Sequence, residues 1–320
     1  MAKDKLSGII QGHEIDAFDA PGSGERKPVQ PENFATIGIT RLWEKYDGIL
    51  SWGKGQCVAI VDDGCDLTVP EWQVSLPWGK KVLATYNSVD DNDDPTPVPP
   101  GYHGTSVGYA SSLCYEGLCA VAYNDYVAQI RSCSIVHLRQ DETATLSRAL
   151  RWVADNAEKY NITAVNLSVL DDEQHTEPMP TSLDAPLQRL RAAGIWVSSP
   201  CGNTQHTGGI SWPACQPFCY GIGSVYEGAV YNDRWANTDI LVDAQYTSSS
   251  NGYIVGSYTV MREAVEKTGF DWKKYGDNLP DAVMAIYKKT GFSLHDARTG
   301  LDFKALNLLA AVDFVFGRTE

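Results

Sequence analysis

The sequence predicts an α/β fold, in which a mostly parallel central sheet carries helices on both faces, and two observations lead there. Short apolar runs without polar alternation recur along the chain, and amphipathic stretches of helical period lie between them. A strand that is apolar at every position must be shielded on both sides, and a strand, helix, strand rhythm supplies that shield.

The runs are CVAIV at 57–61, KVLATY at 81–86, YVAQIRSCSIV at 126–136, AVNLSV at 164–169, IWVSS at 195–199 and CYGIGSV at 219–225. Leu146, Ala149, Leu150, Val153 and Ala157 share one helical face ahead of AVNLSV, and Leu183, Leu187 and Leu190 share another ahead of IWVSS. Nearer the C-terminus Ile254, Tyr258, Met261 and Val265 form a third face, and Ala282, Val283 and Ile286 begin a fourth. Residues 1–33 are polar and rich in Gly and Pro, so they predict an extended N-terminal arm. With no internal repeat, low-complexity tract or linker, residues 34–320 predict a single domain.

Acidic residues outnumber basic ones 40 to 26, a net charge of -14, which repels a polyanion such as nucleic acid. No run of about 18 apolar residues occurs, so no membrane span is expected. The opening MAKDKLSGIIQGHEIDAFDA has no apolar leader, which points to the cytoplasm if the sequence is complete and outside the cell if a signal and propeptide precede it. Among the eight cysteines, Cys114 with Cys119 and Cys215 with Cys219 bracket short loops, and each pair is expected to be a disulfide or two buried thiols rather than a metal site.

Chemistry concentrates where apolar runs end. CVAIV runs into Asp62-Asp63-Gly64, placing a carboxylate at the end of a buried strand, where open α/β sheets assemble their sites. His103-Gly104-Thr105 follows the turn-rich PTPVPPGY and opens a helix-compatible stretch, so an imidazole there can face a carboxylate and a hydroxyl at once. IWVSS runs into Pro200-Cys201-Gly202-Asn203, an amide donor at another strand end. Thr247-Ser248-Ser249-Ser250-Asn251 precedes the Ile254 helix, whose dipole favours negative charge developing on a serine oxygen.

VAIVDDGCDLTVPEW, DDNDDPTPVPPGYHGTSVG, AVNLSV, SSPCGN and YTSSSNGYIVGSYTV resemble, in order, the signature blocks of the subtilase family, and the Asp-Asp-Gly and Tyr-His-Gly-Thr forms are most similar to its kexin branch. The resemblance implies a three-layer subtilisin-like fold and a serine endopeptidase. Asp62 would orient His103, His103 would deprotonate Ser248, and Asn203 would donate to the oxyanion with the Ser248 amide. It further implies that a peptide is bound by the strand near Gln140 and by Asn166, Ser168 and Gly202. No cofactor is needed for the chemistry, while Glu71 and the acidic cluster Asp90–Asp94 leave room for a structural calcium ion.

The nucleophile block departs from the family's Gly-Thr-Ser…Pro pattern: Tyr246 and Gly252 stand where the Gly and the Pro would be. A rival register would make Ser257 the nucleophile. Two other functions share the same residues: a peptide ligase or macrocyclase, for which Phe270–Asn278 is the candidate water-excluding cover, and a peptide-binding pseudoprotease.

Overall fold

The computed structural model describes residues 9–10, 13–14, 33–99, 101–108, 114–115, 118–119, 121–134 and 143–318. The predicted arm therefore falls almost wholly outside the described residues, as do the stretch around Gln140 and the Glu71 side chain.

Each of the six apolar runs is a strand: β1 (Cys57–Asp62), β2 (Val82–Asn87), β3 (Tyr126–Arg131), β4 (Ile162–Leu167), β5 (Trp196–Pro200) and β6 (Tyr220–Tyr226). With β7 (Ala229–Tyr231), β8 (Ile240–Asp243), β9 (Phe292–Asp296) and β10 (Leu301–Ala305) they form one sheet in the order β9-β10-β8-β6-β5-β4-β1-β3-β2, with β7 beside β6. All neighbours run parallel except β6 with β7 and β9 with β10.

Alternation along the strands sorts residues between two cores. Val58 and Ile60 join Ala164, Trp196 and Ile222 on one face, whereas Ala59 and Val61 join Ala128, Val165 and Val197 on the other. The first face is covered by α2 (Ile39–Tyr46), α6 (Thr247–Thr268), α7 (Leu279–Thr290) and α8 (Leu308–Val315), the second by α4 (Thr143–Tyr160) and α5 (Asp184–Ala192). The short α1 (Asn33–Ile37) and α3 (His103–Val107) complete the described helices. The three layers and the mostly parallel sheet are those the apolar runs predict.

The helix α6 is the central element. Its 16 buried residues include Ile254, Tyr258, Met261 and Val265, and it is buried around most of its circumference, as a helix enclosed by a core must be. Gly269 ends it in the left-handed conformation at φ 64°.

The cysteines resolve in part. Cys215 and Cys219 are free, buried thiols, and burial holds both in the neutral form. Cys114 and Cys119 face one another across a two-stranded ladder.

Candidate active site

Asp62 is the last residue of β1, and the period of two that turns Val58 and Ile60 toward α6 turns its carboxylate the same way. β1 lies between β3 and β4, with the later strands β5 and β6 continuing on one side and β2 on the other, so the crevice at its C-terminal end is a topological switch point.

The helix α3 meets that end at close range. A Cβ on Gly104 would come within 2.4 Å of the Gly64 carbonyl oxygen and 2.7 Å of the Asp62 Cβ, so only glycine permits this approach. It places His103 Nδ1 2.8 Å from each carboxylate oxygen of Asp62. A carboxylate only accepts, so Nδ1 carries the proton and Nε2 presents its lone pair. Among the described residues Nε2 is buried without a hydrogen-bond partner, which is how a base awaiting a proton is arranged.

Burial alone would depress the His103 pKa, but the charge and hydrogen bond of Asp62, with the charge of Asp63, outweigh it and hold the value above the ordinary 6.5. If neutral His103 is the working base, activity is lost as pH falls through that raised pKa. A pH profile of kcat/KM is therefore expected to show an acid limb with its midpoint above 6.5. A midpoint below 6.5 would contradict the pairing with Asp62.

Ser248 is the second residue of α6, a helix that packs against α3 and against β4, β5, β6 and β8. Its side chain is buried. Tyr246 precedes the helix with φ -112° and ψ 141°, an extended conformation open to any residue, so the absence of the family's glycine costs nothing at this position. Ser257 is different. It sits in the helix interior, fully buried, its hydroxyl donating to the Tyr253 carbonyl at 2.7 Å.

Asn203 follows β5. Its Oδ1 accepts from the Thr247 amide at 2.9 Å and the Thr247 hydroxyl at 2.8 Å, which occupies the carbonyl end and leaves Nδ2 to donate. Asp233, which the sequence did not single out, anchors this loop: it accepts from Thr204 Oγ1 and from the His206 amide at 2.7 Å. A Cβ at Gly202 would lie 2.1 Å from the Asp233 carboxylate, so Gly202 serves that anchor, and its left-handed φ of 115° fits no other residue easily.

The side chains of Asn166 and Ser168 are fully buried, which leaves their backbone for the strand-like pairing with a peptide that the resemblance implies. Asn166 Nδ2 donates to Ser168 Oγ at 3.0 Å, and its Oδ1 accepts from Asn251 Nδ2 at 2.9 Å. Asn251 also donates to the Ser198 carbonyl and accepts from Ser198 Oγ at 2.5 Å. Residues 62, 166 and 198 thus share the face turned toward α6, and Asn251 locks the first turn of that helix to β4 and β5. The signal for it was present: Asn251 lies three residues after Ser248, on a neighbouring part of the same helical surface.

In a second Asp–His pair, Asp171 with His175, the nearby hydroxyl of Ser211 donates to the carboxylate. Among the described residues no group of three or more His, Cys, Asp or Glu is arranged to hold a metal ion. In the acidic stretch, Asp90 pairs with Asn87 and Arg131, Asp91 accepts from Tyr86, and Asp94 accepts from the Thr96 amide. No described helix is long and apolar enough to cross a membrane.

No protein-family model and no curated protein matches the sequence. Solved structures do match. MycP1 with its N-terminal propeptide removed superposes with a TM-score of 0.65 at 15% identity, over 89% of this chain and 97% of that one. MycP1 from Mycobacterium smegmatis gives 0.62 at 16% identity over 91% and 86%, and the MycP3 protease of the type VII (ESX-3) secretion system gives 0.63 at 16% over 91% and 90%. The chain therefore has the subtilisin-like α/β fold of these proteins. At this identity the likeness defines the architecture, and the chemistry has to be argued from the residues.

Proposed function

We propose that the protein is a serine endopeptidase in which His103, oriented by Asp62, activates Ser248. The observation that carries this reading is the buried imidazole with its Nδ1 on a carboxylate and, among the described residues, its Nε2 unpartnered, on a helix that packs against the one bearing Ser248.

In the proposed reaction Ser248 Oγ attacks the scissile carbonyl as Nε2 takes its proton, and the resulting imidazolium is stabilised by Asp62. The oxyanion is met by Asn203 Nδ2 and the Ser248 amide, which in the first turn has no intrahelical acceptor. Nε2 then protonates the leaving amine, and water resolves the acyl-enzyme by the same proton path in reverse. Asn203→Ala is expected to lower kcat by about 10²- to 10³-fold with KM little changed, since the donor acts on charge that exists only in the transition state. Equal losses in kcat and affinity would argue against an oxyanion role.

The test is incubation with a long peptide followed by mass analysis. Fragments whose summed mass exceeds the peptide by one water support hydrolysis, a cyclic product without added water indicates ligation, and unchanged peptide indicates a binding protein. Phe270–Asn278, the segment the ligase reading would use as a cover, follows the far end of α6, about 30 Å of helix from Ser248, and packs Phe270 and Tyr275 on Phe314.

A further inference from the structure

Asp63, the second carboxylate of the Asp-Asp-Gly turn, has no place in the proton path, yet it is 2% exposed. Its Oδ2 accepts from the Tyr102 and His103 amides, each at 3.0 Å, and its Oδ1 accepts from the Gly104 amide at 2.8 Å. These are the backbone groups at and on either side of His103. The loop entering them is equally close, since a Cβ on Gly101 would lie 3.2 Å from Asp63 Oδ2. One carboxylate of the turn thus holds the imidazole, and its neighbour in sequence holds the peptide groups that carry it.

We infer that Asp63 is a positioning residue whose ionised carboxylate fixes the backbone under the His103 ring and so sets both the placement and the basicity of that base. The inference rests on the serine-hydrolase reading of the site. All three donors point at the carboxylate, so the NH2 of an amide in its place must oppose at least one of them, and a proton on either oxygen leaves that oxygen a weaker acceptor for the amides it holds. The grip is strongest in the ionised form.

The titratable groups around Asp63 are Asp62 on β1, His103 on α3, and the thiols of Cys65 and Cys133, both kept neutral by burial. Burial, then the charge of Asp62, pushes the Asp63 carboxyl up to about 7, against the pull of His103 and the amides of Gly104 and His103. The carboxyl therefore changes charge in the range where a serine hydrolase works, and its negative form in turn raises the His103 pKa. Acidification would switch off the base twice, by protonating the imidazole and by loosening its support.

The experiment measures the rate constant for inactivation by a fluorophosphonate against pH, for the wild type and for Asp63→Asn. The wild type is expected to show an acid limb steeper than a single ionisation produces. In Asp63→Asn the plateau is expected to fall about 10- to 100-fold, the cost of a slightly misplaced base. Its limb should shorten to a single ionisation and move to lower pH, because the charge that raised the His103 pKa has gone. Damage to folding alone would lower the plateau without moving the limb, so a variant with the wild-type midpoint and slope would overturn the role. If the variant fails to fold, the wild-type limb decides, and a slope of one overturns it. Absence of any labelling in the wild type would overturn the underlying hydrolase reading instead, a result distinct from labelling with an unaltered limb.

Discussion

Ser248→Ala is expected to abolish labelling by a fluorophosphonate and to lower peptide hydrolysis by about 10⁶-fold, the size of loss subtilisin suffers when its serine is removed. The expectation follows from where the residue sits. Ser248 is in the first turn of α6, where the amides have no intrahelical acceptor and the helix dipole favours an oxyanion. Ser257→Ala is expected to label as the wild type does, since that hydroxyl is tied to the Tyr253 carbonyl inside the helix. Labelling that survives Ser248→Ala but not Ser257→Ala would reverse the assignment. Loss in both would point to a damaged α6 rather than to either nucleophile, and thermal unfolding of the two variants would reveal it.

The contrast between these serines shows how much of the site was legible in the chain. The sheet was legible because its central strands are buried on both faces, which forces continuous apolar runs: CVAIV, AVNLSV and IWVSS became β1, β4 and β5 with boundaries close to those predicted. The hairpin β9–β10 was not legible, because Phe292 and Ser293 are exposed at the sheet edge and its residues carry no such run. Asp62, His103 and Asn203 stand out as candidates because strand ends and a glycine-assisted helix start mark them. The groups that hold them were harder to find. Asp63 is marked by nothing beyond its place after Asp62, Asp233 lies 27 positions from the His206 amide it accepts from, and nothing near Asn166 in sequence points to Asn251, 85 positions away, as the partner of its amide. A side chain whose work is to hold another side chain leaves little local pattern, because its partner is fixed by the topology and not by sequence spacing.

Asp62→Asn is expected to lower kcat by about 10⁴-fold while leaving the site nearly isosteric, the magnitude found when the corresponding change is made in a serine protease triad. At present both carboxylate oxygens lie 2.8 Å from Nδ1, so the ring is held as the Nδ1–H tautomer with its Nε2 lone pair free. An asparagine has one acceptor and one donor. The Asp63 amide already donates to Asp62 Oδ1 at 2.8 Å, so that position favours the amide carbonyl and leaves the NH2 facing the ring. A donor facing Nδ1 turns that nitrogen into an acceptor and moves the ring proton to Nε2, where it can no longer accept one from Ser248. Removing the negative charge also takes away the main influence raising the His103 pKa, so the acid limb should fall to lower pH as the plateau collapses. Proton NMR of the ring N–H would check the cause directly, with the signal moving from Nδ1 to Nε2. A variant that retained the Nδ1–H signal and still lost activity would mean that Asp62 works through charge alone.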